Sequence, residues 1–411
     1  MLQNWIWLAQ HDAVSGADKR LLLEHFSDAD EIYHTQPDCL TEDRECLRPL
    51  LEKLADRDLS EAKEILAACK KADIRVLPFS DPAYPRLLKH IEDPPVVLYC
   101  LGKLPDLNDL PVVGVVGTRK ASAYGLSSAR QLGSQIAACG ALVVSGAAFG
   151  IDSMALQGAL ETNSPAIGVL GCGVDVVYPK SNRQLFACLQ EKGCLISEYP
   201  PGTQPLKWHF PRRNRIISGI SNGVLVVEAP EKSGALITAR LAFDQGRDVF
   251  VVPGMINTAS CAGSNALLQD RASAVFSGWD VVRDYVPLYP GKLKKQEITL
   301  QEEPAFPQPA PKVAQKAACF PVENTEKSKN AKKAIDNGEN TSYSGIKDII
   351  SALSGEERVI ADCLGPDACP VDTIIAKSGL PAGRALSILT TLSLKGIAVN
   401  HPGKRVSLKT K

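Results

Sequence analysis

Several signatures of common catalytic chemistry are missing from this 411-residue chain. Its 12 cysteines form no C-x-x-C pair, and several lie in apolar runs such as "IAACGALVV" and "GVLGCGVD". They read as reduced core thiols of a cytoplasmic protein, because buried free cysteine behaves as a small hydrophobe and disulfides are rare in reducing compartments. The 6 histidines (His11, His25, His34, His90, His209 and His401) are scattered without H-E-x-x-H or similar spacing, which argues against a histidine-based metal centre. No G-x-x-x-x-G-K-[ST] loop is present. Neither "GAAFG" nor "GCG" completes G-x-G-x-x-G with an acid about 20 residues on, so P-loop nucleotide hydrolysis and dinucleotide redox chemistry both fit poorly. No run reaches the roughly 18 apolar residues of a membrane span, and the start, "MLQNWIWLAQHDAV", has no basic segment ahead of a long apolar one. An excess of charge is lacking too: Lys plus Arg and Asp plus Glu both total 46, so any polyanion site must be a local cluster.

The length allows two or three domains. Residues 1–75 place apolar positions at three- and four-residue spacing in "DKRLLLEHF" and "LSEAKEILAACKKA", which predicts a small helical domain. The stretch "LPFSDPAYPRLLKHIEDPPVVLYCLG", with Pro78, Pro82, Pro85, Pro94 and Pro95, reads as an extended connector into a second domain over 76–287. There, apolar runs ("VVGVVG", "ALVVSG", "PAIGVLGCG", "CLISEYP", "VLVVEAP", "DVFVVPG") alternate with helical periods. Continuous rather than alternating apolar strands separated by helices indicate a doubly wound, mostly parallel α/β sheet covered on both faces. Residues 288–345 are rich in Pro, Lys, Glu, Gln and Asn and read as a flexible linker. In 346–411, a short helix at Val371–Lys377, a turn at Ser378–Pro381, a longer helix to Leu394 and strands around Pro402–Gly403 outline a winged helix. Its longer helix carries few cations, Arg384 and Lys395, so a protein-docking role is as open as a DNA-binding one.

In an open parallel sheet the ligand crevice lies beyond the carboxyl ends of the strands, so the loops "VVGTRKASAYG", "VVSGAAFGIDS" and "VLGCGVDVVYPKSNR" should converge. Gly117, Gly146 and Gly150 would let backbone N–H groups approach a phosphate. Cations accompany them: Arg119 and Lys120 after the first strand, Lys180 and Arg183 after the third, and Arg212, Arg213 and Arg215 ahead of "VLVVEAP". A guanidinium fork matches phosphate bidentately. Tyr178, Tyr199, Trp208 and Phe210 lie in the same loops, and cations beside aromatic faces suit single-stranded nucleic acid. Ser233 and Gly234 would open a helix whose first amides favour an anion. Asp152 reads as a helix cap rather than a catalytic acid, and Glu198 and Glu228 as carboxylates that hold rim arginines in place.

Eight motifs in fixed order over Leu77–Asp284 resemble the DNA processing protein A (DprA/Smf) family: "VVGTR", "SGAAFGID", "GVLGCGVDVVYPKSNRQL", "ISEYPPGTQP", "HFPRRNRIISGIS", "LVVEA", "SGALITAR" and "DVFVVPG". The resemblance implies a Rossmann-like domain that binds and protects single-stranded DNA. It also implies a homodimer formed through that domain and loading of the recombinase RecA in natural transformation, with no catalytic activity and no cofactor. It makes Arg119 and Lys180 the leading DNA contacts, joined by Arg213, Asn214 and Arg215. It also implies a sterile-alpha-motif-like N-terminal domain and a winged-helix tail. This chain departs from the family pattern at Phe149, where an arginine is usual, at Leu156 in place of a histidine, and in "GSNALLQDRA". Two other classes compete. A phosphoribohydrolase-type nucleotide enzyme would have "PGGxGTxxE" where this chain has "PGMINTASCAGSN", and a docking scaffold would depend on its tail and not on Arg119.

Overall fold

The computed structural model of the protein describes residues 1–296, 353, 355–365, 367–394, 397–401 and 405–408. Most of the expected linker, Lys395 and the Pro402–Gly403 turn lie outside the described residues. The chain divides into two compact units, Met1–Phe306 and Pro307–Lys411. No helix among the described residues is long and apolar enough to cross a membrane.

The first unit opens with helices α1 (Leu2–Gln10), α2 (Gly16–His25), α3 (Ala29–His34), α4 (Arg48–Lys53) and α5 (Ser60–Lys71). Ser15 and Asp28 cap α2 and α3 by accepting from the N–H groups of Asp18 and Glu31, satisfying donors that a helix start leaves open. Their apolar faces bury Trp5, Leu22 and Ile32 in a core continuous with one face of the sheet, through Tyr99 and Val113 to Leu293.

The proline-rich stretch read as a connector instead supplies the edge strand β1 (Arg75–Pro78) and its neighbour β2 (Val97–Gly102), joined through the single turn α6 (Arg86–Lys89). They pair antiparallel, with Val76 opposite Tyr99. Pro78 ends β1 and the other prolines fall between the strands, where no ladder donor is lost. Beyond them run β3 (Val112–Val116), α7 (Ala123–Ala138), β4 (Leu142–Ser145), α8 (Ile151–Glu161), β5 (Ala166–Val169), α9 (Arg183–Lys192) and β6 (Cys194–Ser197). Then follow α10 (His209–Ile220), β7 (Gly223–Val226), α11 (Gly234–Asp244), β8 (Asp248–Val251), α12 (Ala262–Asp270), β9 (Ser273–Ala274) and α13 (Gly278–Val282).

The strand order is β1-β2-β6-β5-β4-β3-β7-β8-β9, and every neighbouring pair from β6 to β9 is parallel. Every residue of β3 to β7 is buried, as a sheet covered by helices on both faces requires. These strands and β8 are the six apolar runs of the sequence. The chain winds from β3 to β6 on one side and from β7 to β9 on the other. The winding direction therefore reverses at β3 and β7, and a crevice opens beyond their carboxyl ends.

The second unit contains α14 (Glu356–Asp362), β10 (Cys369–Pro370), α15 (Val371–Ser378), α16 (Ala382–Leu394), β11 (Ala398–His401) and β12 (Arg405–Leu408). A three-stranded antiparallel sheet, ordered β10-β12-β11, closes over Ile360, Ile374, Leu389 and Val406. Gly379, in the left-handed region at φ 67°, ends α15 and lets the chain turn into α16. This is the expected winged helix; the two-residue β10 is too short to leave a sequence pattern. Arg384 on α16 is engaged by Glu356 of α14 at 2.7 Å.

Candidate nucleic-acid interface

A cleft of about 550 Å³ lies where β3 and β7 end. Its walls come from the loop after β3 (Gly117, Thr118, Arg119), the start of α8 (Ala148, Asp152), α10 (Phe210, Arg213, Asn214) and the start of α11 (Ser233, Gly234, Thr238). Fold topology thus brings together residues separated by more than a hundred positions.

The basic run, expected as a loop ahead of β7, is helical and belongs to α10. Each helical residue turns about 100° from the last, so residues two apart point nearly opposite ways. The three arginines therefore have three environments. Arg213 is 4% exposed and donates to the Val169 carbonyl. It faces Asp152, and burial, with Arg119 nearby, draws its guanidinium down to about 10 while Asp152, Cys172 and Tyr199 oppose the shift. Gly146 makes room for it: a Cβ there would sit 2.1 Å from Arg213 Nη1. Gly146 is thus a packing glycine beneath a buried arginine rather than a phosphate-cradling one.

Arg215 points away from the cleft. It is 8% exposed and pairs with Glu198 at 2.5 Å and Asp93 at 3.1 Å. With Lys19 of α2 it borders a separate hollow of about 40 Å³. Arg212, partly exposed, lies 3.8 Å from the same Glu198. Glu198 holds rim arginines as expected, but by holding Arg215 it removes that residue from the face on which a phosphate could be gripped. Glu228 does something else: it accepts from the Ser122 N–H and, at 2.8 Å, from the Ser122 hydroxyl, fixing the start of α7.

Arg119 is exposed and its guanidinium sits over the Phe210 ring, 5.4 Å from the centroid. Tyr178 also packs on Phe210, with ring centroids 5.4 Å apart, and is 39% exposed. Tyr199 proves to be a core residue, stacked on buried His209 at 3.9 Å. Asn214 donates to the Gly234 carbonyl, tying α10 to α11 across the cleft. Ser233 caps α11 through the Ala235 N–H, as expected, and no atom lies within 4 Å of a Cβ built on Gly234, so that side is open. Lys120, in the loop after β3, Lys180, in the turn before α9, and Arg183, the first residue of α9, are exposed outside the cleft wall.

Asp152 is the second residue of α8, and Gly150, at φ 90°, is the cap. A side chain on Gly150 would lie 2.5 Å from the Thr118 carbonyl, so glycine is needed for both conformation and space. Burial pushes the Asp152 carboxyl up; Arg213, the backbone of Ala148, Arg119 and the backbone of Gly117 oppose this. The Gly117 amide is thereby spent on Asp152. Lys207 and Lys232 also line the cleft, and sequence reasoning missed both; each lies within two residues of a motif position already singled out. The run Gly219–Gly223 spells G-x-S-x-G, the sequence of a nucleophile elbow. It passes from helix to strand, however, with Ser221 buried and donating to the Ile217 carbonyl, whereas an elbow exposes its serine on a strand-to-helix turn.

Residues 75–286 match the family model for DNA recombination-mediator protein A, and residues 348–404 match the DprA winged helix domain. The DNA processing protein DprA of Bacillus subtilis (strain 168) is 43% identical over 220 residues, 54% of this chain and 74% of the relative. Protein Smf of Escherichia coli (strain K12) is 32% identical over 335 residues, 81% of this chain and 77% of the relative. The X-ray structure of DNA processing protein A from Streptococcus pneumoniae aligns with a TM-score of 0.58 at 33% identity, covering 69% of this chain and 98% of that one. The motifs, the sheet and these likenesses agree: the chain belongs to the DNA recombination-mediator protein A family.

Proposed function

We propose that the protein binds single-stranded DNA along the cleft at β3 and β7, shields it, and delivers it to the recombinase RecA in natural transformation and homologous recombination. The observation that carries this reading is Arg119 lying over Phe210 at the mouth of a cleft that also holds Lys207 and Lys232. Cations follow a phosphate backbone and aromatic faces accept any base, so binding is strong, salt-sensitive and nearly independent of sequence. Lys120, Lys180 and Arg183 extend the basic track beyond the cleft, while Gly117, Ser233 and Gly234 form its wall. Arg213 forms part of the cleft wall, while Arg212 and Arg215 hold α10 against Glu198 outside it.

The role is binding and not catalysis. Asp152, the acidic residue of the cleft wall, is engaged by Arg213 and the backbone, and Glu228 by Ser122. Nucleoside monophosphates incubated with the protein should release no free base. A homodimer would form at the β9 end of the sheet. There Met255, Ile256 and Phe276 are 77%, 91% and 82% exposed beside a short edge strand, an apolar surface that a second copy would cover.

The test is a fluorescence-anisotropy titration with a labelled single strand and a duplex of equal length. The single strand should bind more tightly. Equal binding of the duplex would remove the stacking element, and no binding of either would overturn the reading.

A further inference from the structure

The loop between β4 and α8 is held in a form that needs explaining. Ala147 has φ 50°, in the left-handed region that residues with a Cβ avoid, and Gly150 follows at φ 90°. Such a conformation persists only where its surroundings enforce it. They do so from both sides. Asn182, 8% exposed, donates its amide to the carbonyls of Ala147 and Ala148 at 3.1 and 3.4 Å. On the other side Gly150 fits against Thr118 and Arg119, with no space for a side chain.

Between these two fastenings stands Phe149, 60% exposed. One neighbouring loop carries Arg119 and the other, through Asn182, carries Lys180 in the same turn. A single exposed phenylalanine is ordinary on a protein surface. This one is presented by a fastened, strained loop between two exposed cations, on the rim that also carries Tyr178 and Phe210. A ring carried on a backbone held in advance needs no loop ordering when a flat partner settles on it. A partner with anionic groups on either side of an apolar face fits those surroundings.

Building on the reading of the cleft as a single-strand site, we infer that Phe149 is a nucleobase-stacking platform: the strand places one base on its ring while the flanking phosphates meet Arg119 and Lys180. In this chain the position serves base stacking in place of a further charge contact. Affinity therefore contains a part that depends on the bases and is insensitive to salt.

The experiment uses the full chain and two labelled oligonucleotides of equal length, oligothymidylate and its abasic counterpart. Each is titrated by anisotropy with wild type, Phe149→Ala and Phe149→Trp. Phe149→Ala should weaken oligothymidylate binding by roughly fivefold to a hundredfold, the range of one lost base–aromatic contact. It should leave the abasic strand, the salt slope and the Tm unchanged, and Phe149→Trp should restore binding. Equal loss on both strands would make the residue a positioning element and overturn the inference. So would no loss on either, the outcome expected if the ring meets a protein. Failure of wild type to bind either strand would instead remove the single-strand reading on which the inference rests.

Discussion

Arg215 and Glu198 meet at 2.5 Å with both side chains 9% exposed, on the side of α10 opposite the cleft that Arg213 lines two residues earlier. One short basic run therefore serves two purposes. Arg213 braces the floor of the cleft against Asp152 and Val169, and Arg215 fastens α10 to Glu198 and to Asp93, beside the N-terminal helices.

A buried pair is costly to break on one side, because the remaining charge keeps its desolvation penalty without its partner. Glu198→Ala should lower stability by about 3–5 kcal/mol. The Glu198→Met/Arg215→Met double variant should recover most of that loss, since it removes both charges and fills the space. Urea-unfolding midpoints measure both. A double variant no more stable than the single one would mean that Arg215 contributes through Asp93 rather than Glu198.

Gly146→Ala tests the space beneath Arg213. The added methyl would lie 2.1 Å from Nη1, so the guanidinium or the loop after β4 must move. Overpacking of this kind costs about 1–3 kcal/mol. Thermal unfolding should show the loss, and single-strand affinity should fall with it because Arg213 borders the cleft. Unchanged Tm and affinity would contradict the assigned role.

His209 gives the protein a pH dependence of known sign. Burial holds its imidazole below the usual 6.5, opposed by its hydrogen bond to the Gly171 carbonyl and by nearby Glu198. The unfolded chain therefore takes up this proton first as pH falls. The contribution of His209 is complete above about pH 6.5 and is lost below it. Tm should fall between pH 7 and pH 5 in wild type, and less steeply in His209→Gln, which keeps an amide able to donate to Gly171. Parallel curves would show that the drop belongs to other groups.

The parallel sheet was legible because each of β3 to β8 is a continuous apolar run buried on both faces, a pattern that burial itself imposes on sequence. β1 and β2 were not, because short strands flanked by prolines resemble a connector. The cleft was legible at Arg119, Phe210 and Ser233, which follow strands or open a helix at the crevice rim. The fates of Arg213 and Arg215 were hidden. Which arginine turns inward depends on helical phase and on partners such as Asp93, 122 residues away in sequence. A local charge cluster looks the same whether it grips a ligand or the protein's own carboxylates. Lys207 and Lys232 carried no signal beyond lying next to motif residues.

The division of labour between exposed and buried arginines is tested most directly by salt-dependent binding to a labelled single strand. The comparison is wild type, Arg119→Ala and the Glu198→Met/Arg215→Met variant. Each phosphate contact contributes about 0.7 to the negative slope of log affinity against log salt. Arg119→Ala should reduce that slope by about 0.7 with its Tm unchanged, and the ion-pair variant should keep the wild-type slope. A slope unaltered in Arg119→Ala but reduced in the ion-pair variant would contradict this account and place the strand on the Arg215 side of α10.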